Sequence, residues 1–155
     1  MNNNIHPTAI ISKAASIDKD VYVGPYCVIN DNVKIKSKSR LISHVTISGD
    51  TSIDIGNIFY PFTSIGSIPQ DIKYKGEDSL LSIGKNNVFR ESVTVNIGTK
   101  GGGMITKIGN NCLFMVGSHI AHDCIISDNV ILANNATLAG HVIINNNAII
   151  GGLSA

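Results

Sequence analysis

The chain has 155 residues, of which 43% are hydrophobic and only 5% aromatic, and a formal net charge of +1 at pH 7. That length fits one domain, its aliphatic bias suits a core of stacked Ile, Leu and Val, and its scattered Lys and Arg argue against nucleic acid. No apolar run approaches the roughly 18 residues of a membrane span, and Met1-Asn2-Asn3-Asn4 lacks a signal peptide's charged and apolar regions, which gives a cytoplasmic expectation.

From the N-terminus, every sixth residue is large and apolar: Ile5, Ile11, Ile17, Val23, Ile29, Ile35, Leu41, Ile47, Ile53, Phe59 and Ile65. An irregular stretch, 67–82 (SIPQDIKYKGEDSLLS), breaks the beat, which returns at Ile83, Phe89 and Val95. A second interruption, 98–107 (GTKGGGMITK), shifts the phase by one residue before Ile108, Phe114, Ile120, Ile126, Leu132, Leu138, Ile144 and Ile150. A period of six matches neither the 3.6 of a helix nor the alternation of a lone strand, so it belongs to a larger repeating unit. Two residues before each large side chain stands a small or β-branched one in nearly every case, such as Ala9, Cys27, Val45, Ser118 and Ala136. One large and one small inward position per hexad describe a short strand followed by a tight corner. The corners carry Gly, Asn and Asp, which tolerate left-handed backbone. Three such units close a triangle, and stacked triangles make an all-β parallel β-helix, a triangular prism running through residues 1–155 as a single domain, with the two irregular stretches leaving it as loops.

The cysteines Cys27, Cys112 and Cys124 take the small inward position and lack Cys-x-x-Cys spacing, so they are expected to fill the core. Gly101-Gly102-Gly103 resembles a flexible excursion. A phosphate-cradling loop would need a following helix and a Lys-Ser/Thr ending that the run does not have.

Chemistry concentrates in Ser118-His119-Ile120-Ala121-His122-Asp123-Cys124 and in His141. His122 and Asp123 fall on the third and fourth positions of their hexad, corner positions expected to face outward. One coil later Gly140 stacks over His122 and His141 over Asp123, at about the 4.8 Å strand spacing. With His119 nearby, imidazoles converge on a carboxylate and an unshielded glycine N–H, the arrangement in which an oriented base activates a hydroxyl. His6 and His44 are expected to be solvated surface side chains. A metal is the rival use of the same imidazoles, as in γ-class carbonic anhydrases. Asp123 adjoins His122 and serves better as its orienter, and no fully spaced ligand trio occurs, so no metal or other cofactor is expected.

The hexads resemble those of the hexapeptide-repeat acyltransferases, and the resemblance implies a left-handed coil, against the usual crossover preference. HIAHD at 119–123, NNATLAGH at 134–141, QDIKY at 70–74 and RESVTV at 90–95 resemble the UDP-N-acetylglucosamine acyltransferase family, which begins lipid A synthesis. That resemblance implies transfer of a 3-hydroxyacyl chain from acyl carrier protein to the glucosamine 3-hydroxyl of UDP-N-acetylglucosamine. It makes His122 the general base, Asp123 its orienting partner and the Gly140 N–H the oxyanion donor. Gln70, Asp71, Lys73, His119 and His141 would contact substrate, and the active form would be a homotrimer. Asn96 stands where many relatives carry His and can only hydrogen-bond. The family normally continues into further coils and a helical C-terminal domain, so a fragment or truncated reading frame is expected. An N-acyltransferase on an amino-sugar nucleotide and a non-catalytic β-helix module remain alternatives.

Overall fold

The computed structural model describes residues 4–155. Among these, the chain forms three parallel sheets of seven strands each, most of them two residues long. A two-residue strand has almost no stability alone. Here each is held by the coils before and after it: the Val28 N–H donates to the Val45 carbonyl at 2.8 Å and the Thr46 N–H to that of Thr63 at 3.0 Å. In a regular coil the register is eighteen residues, as in Ile29 opposite Ile47. The large apolar position of every hexad from Val23 to Leu138 is buried.

The corners use left-handed backbone. Asn86, Asn111, Asn129, Asn135 and Asn147 all have φ between 56° and 62°, a conformation that Asn adopts more readily than most residues. Asp123 (φ 59°) and His141 (φ 65°) occupy the same corner position, and Asp and His share that tolerance for left-handed backbone.

Both interruptions are insertions into an otherwise continuous prism. Ile65 pairs with Val95, thirty residues on, and Val95 with Ile120, twenty-five on. Twelve and seven residues are therefore added to the eighteen-residue coil, and the core column closes across them: Phe59 stacks on Phe89 and Phe89 on Phe114, each at 4.8 Å between ring centroids. The excursions are shorter than the composition implied, because Leu80–Ile83 and Ile105–Ile108 are strands paired side by side. Their alternating side chains, buried at Leu81, Ile83, Thr106 and Ile108, already belong to the coil.

One inward column is polar. Asn57 and Asn87 take the small position and are fully buried. Asn57 Oδ1 accepts the Asn87 N–H and side-chain amide, both at 3.0 Å, and Asn87 Oδ1 accepts the Cys112 N–H at 2.8 Å. Asn87 Nδ2 also donates to the Gly109 carbonyl at 2.9 Å. All three cysteines are free and buried. Among the described residues, no helix is long and apolar enough to cross a membrane.

Candidate active site

The strand His119–Ile120 and the one coil later, Thr137–Leu138, are in register, His119 opposite Thr137 and Ile120 opposite Leu138. The corners that follow are therefore superposed. The His141 N–H donates to the His122 carbonyl at 3.0 Å, and the two imidazoles meet edge to face at 5.0 Å between centroids. Gly140 lies over the His122 ring, as the register requires.

Asp123 does not face outward as its corner position led us to expect. Its side chain is fully buried, because the second excursion folds down on it. The Thr99 N–H donates to Oδ1 at 2.8 Å and the Thr99 hydroxyl to Oδ2 at 2.5 Å. Gly102, in a 3-10 turn over Lys100–Gly102, packs so closely that a Cβ there would lie 2.0 Å from the Asp123 Cγ. Within the glycine run, Gly102 is thus needed for close approach to a carboxylate, while Gly103 takes a left-handed φ of 95°. Burial alone would raise the Asp123 pKa, but the Thr99 hydroxyl and N–H, together with His122, more than offset it and hold the carboxyl below its ordinary value.

An ionised carboxylate can only accept hydrogen bonds. The 2.8 Å contact between Asp123 Oδ2 and His122 Nδ1 therefore places the imidazole proton on Nδ1, leaving Nε2 bare in the neutral ring. His141 Nδ1 is 3.9 Å from the same Oδ2 and its side chain is 54% exposed, against 14% for His122. One nitrogen of each imidazole and one Asp123 oxygen lie within 4.8 Å of one another. Yet Oδ2 already accepts hydrogen bonds from Thr99 and His122, while the His141 ring at 3.9 Å is beyond hydrogen-bond distance.

His119 does not converge on this set. Its ring sits on the outer face of the sheet and shares a hydrogen bond with the Thr94 hydroxyl at 2.7 Å, and burial lowers its pKa, favouring the neutral form. An open cavity of about 540 Å³ joins His141 to both excursions, lined among others by Asp71, Lys73, Tyr74, Glu77 and Lys100. Gln70 is exposed and does not line it. Asn96 is buried and donates through Nδ2 to the carbonyls of Ser67 (3.3 Å) and Ile68 (3.1 Å), fixing the point where the first excursion leaves the coil. The excursions are tied together where Glu77 Oε1 accepts the Lys100 N–H at 3.0 Å. Thr99, Gly102 and Glu77 escaped sequence reasoning because they lie off the hexad beat, where register cannot be counted.

Residues 105–140 match the family model of bacterial transferase hexapeptides (six repeats). The acyl-[acyl-carrier-protein]–UDP-N-acetylglucosamine O-acyltransferase of Rickettsia canadensis is 54% identical over 123 residues, which are 79% of this chain and 47% of that protein. Among solved structures, LpxA from Acinetobacter baumannii is 47% identical with a TM-score of 0.95, covering 97% of this chain and 58% of that one. The UDP-N-acetylglucosamine O-acyltransferase of Moraxella catarrhalis is 47% identical at a TM-score of 0.94, covering 96% and 58%. The chain spans about half the length of the curated relatives it matches. A superposition this close requires the same hand, so the coil is the left-handed one that the family resemblance implied. Shared repeat, shared fold and roughly half-identical sequence make this chain a hexapeptide-repeat left-handed β-helix of the UDP-N-acetylglucosamine acyltransferase family.

Proposed function

We propose that the chain carries the catalytic base of an O-acyltransferase that moves a 3-hydroxyacyl group from acyl carrier protein to the 3-hydroxyl of UDP-N-acetylglucosamine. The observation that carries this reading is the His122 imidazole, bound through Nδ1 to an ionised Asp123 at 2.8 Å, with Nε2 bare beside Gly140. Nε2 takes the proton of the sugar hydroxyl as its oxygen attacks the thioester carbonyl. Asp123 holds the tautomer and stabilises the imidazolium. The Gly140 N–H stabilises the oxyanion of the tetrahedral intermediate, which collapses as the C–S bond breaks and the thiol takes the proton back from Nε2. General-base catalysis contributes about 10²–10⁴ in rate and one oxyanion donor about 10²–10³, enough for a reactive thioester.

Asp71, Lys73 and His141 line the cavity that would receive the sugar nucleotide, while Gln70 and His119 would contact substrate from its margins. Acyl carrier protein and UDP-N-acetylglucosamine are named as substrates in the relatives' own descriptions. A homotrimer fits the open cavity, which a second subunit could wall, and Ile72, 93% exposed on the first excursion, offers that neighbour an apolar contact. A reducing cytoplasm suits three unpaired cysteines.

The test is His122→Ala in the full-length polypeptide. Turnover should fall about 10³-fold while the affinity for UDP-N-acetylglucosamine changes less than about twofold, because the base acts chiefly in the transition state. Undiminished turnover in that variant rules the base reading out.

A further inference from the structure

We propose that Thr99 is a positioning residue for the His122–Asp123 pair, selecting which imidazole the carboxylate serves; this rests on the reading of His122 as the base. The torsion that turns a carboxylate about its Cβ–Cγ bond is broad and roughly two-fold, so its covalent structure alone does not choose a direction. Two imidazoles compete for Asp123 Oδ2, His122 Nδ1 at 2.8 Å and His141 Nδ1 at 3.9 Å. Thr99 grips both oxygens at once, its N–H on Oδ1 at 2.8 Å and its hydroxyl on Oδ2 at 2.5 Å. That two-point hold fixes the carboxylate plane and leaves Oδ2 aimed at His122.

Thr99 is itself well anchored. It is buried, and β-branching restricts its χ1. Its carbonyl accepts the N–H groups of Gly102 (3.1 Å) and Met104 (2.9 Å), closing the turn that lays Gly102 against the carboxylate. The next residue, Lys100, donates its N–H to Glu77 of the first excursion at 3.0 Å. The two excursions therefore share a path, hydrogen-bonded from Glu77 to Lys100, covalent from Lys100 to Thr99 and hydrogen-bonded again from Thr99 to Asp123, ending on the carboxylate behind the base.

The test compares Thr99→Val, which keeps shape and backbone N–H but removes the hydroxyl, with Thr99→Ser, which restores it. Ring-nitrogen NMR on the unmutated full-length protein should find neutral His122 as the Nδ1–H tautomer. Thr99→Val should mix the tautomers and lower kcat about 10- to 100-fold, the scale of a small misplacement of a catalytic group, with KM for the sugar nucleotide within about twofold. Thr99→Ser should recover most of both. The proposal is overturned by an Nε2–H tautomer in the unmutated protein, a measurement that needs no variant to fold. It is equally overturned by an unchanged tautomer in Thr99→Val, whatever happens to kcat, or by Thr99→Ser failing as badly as Thr99→Val. The tautomer signal needs no turnover, so this outcome is separable from the fate of the base reading, which His122→Ala decides.

Discussion

Gly140 rests directly on the His122 imidazole: a Cβ at position 140 would lie 2.4 Å from Cε1 and 2.7 Å from Nε2. No carbon can occupy that space with the ring where it is. The glycine therefore permits the base to sit under the neighbouring coil with its bare nitrogen against main chain.

Gly140→Ala separates packing from backbone strain, because Gly140 is absent from the positive-φ glycines and its conformation is open to alanine. The added methyl must displace the imidazole, and turnover should fall up to about 10²-fold, as for other misplacements of catalytic groups. In a His122→Ala background the clash is gone, and Gly140→Ala should stabilise by about 0.4–1 kcal/mol through the unfolded chain. A double-mutant cycle on denaturant midpoints reads this coupling. Additive effects of the two substitutions would show that ring and glycine do not press on each other.

The hexad beat made the prism, the stacked corners and the superposition of Gly140 on His122 legible, since each follows from counting in sixes and eighteens. Counting fails where backbone leaves the coil. Asp123 was expected on the surface because its corner position is outward, and only the second excursion, whose path no periodicity encodes, buries it under Thr99 and Gly102. His119 was expected to join His122, although its strand position directs it to Thr94. Asn57 and Asn87 were missed for the opposite reason. They sit in corner-like runs such as Asn86-Asn87, where Asn usually marks a turn, yet both point inward.

That buried asparagine column carries the second prediction. Asn87→Ala removes the acceptor of the buried Cys112 N–H, the donor to the half-buried Gly109 carbonyl and one of the two donors to Asn57 Oδ1, which keeps the residue-87 N–H. Each buried orphan costs about 1–3 kcal/mol, a large share of the roughly 5–15 kcal/mol that holds a domain together. Chemical denaturation should report a loss of several kcal/mol, with the m-value unchanged if the native coil survives. A change under about 1 kcal/mol would mean that water enters the column and replaces the amide.

The third prediction follows from the depressed pKa of Asp123. A carboxyl whose folded-state pKa lies below its unfolded value binds fewer protons when folded, so its ionisation stabilises the native state. The contribution is complete above the unfolded value of about 3.9 and drains away as pH falls from there through the folded pKa. Burial opposes ionisation here, and the hydrogen bonds from Thr99 and His122 supply the offset. Asp123→Asn cannot titrate and must aim an amide N–H at one of those donors, so it should be less stable near neutrality. Its stability should then fall less steeply than that of the unmutated protein as the medium is acidified below about pH 4. Urea titrations across that window measure both slopes. Parallel slopes would show that Asp123 ionises as easily in the unfolded chain as in the folded one, so that Thr99 and His122 do no more than repay its burial. Thr99→Val should lie between the two, because one of the hydrogen bonds holding the pKa down is gone while the Thr99 N–H remains.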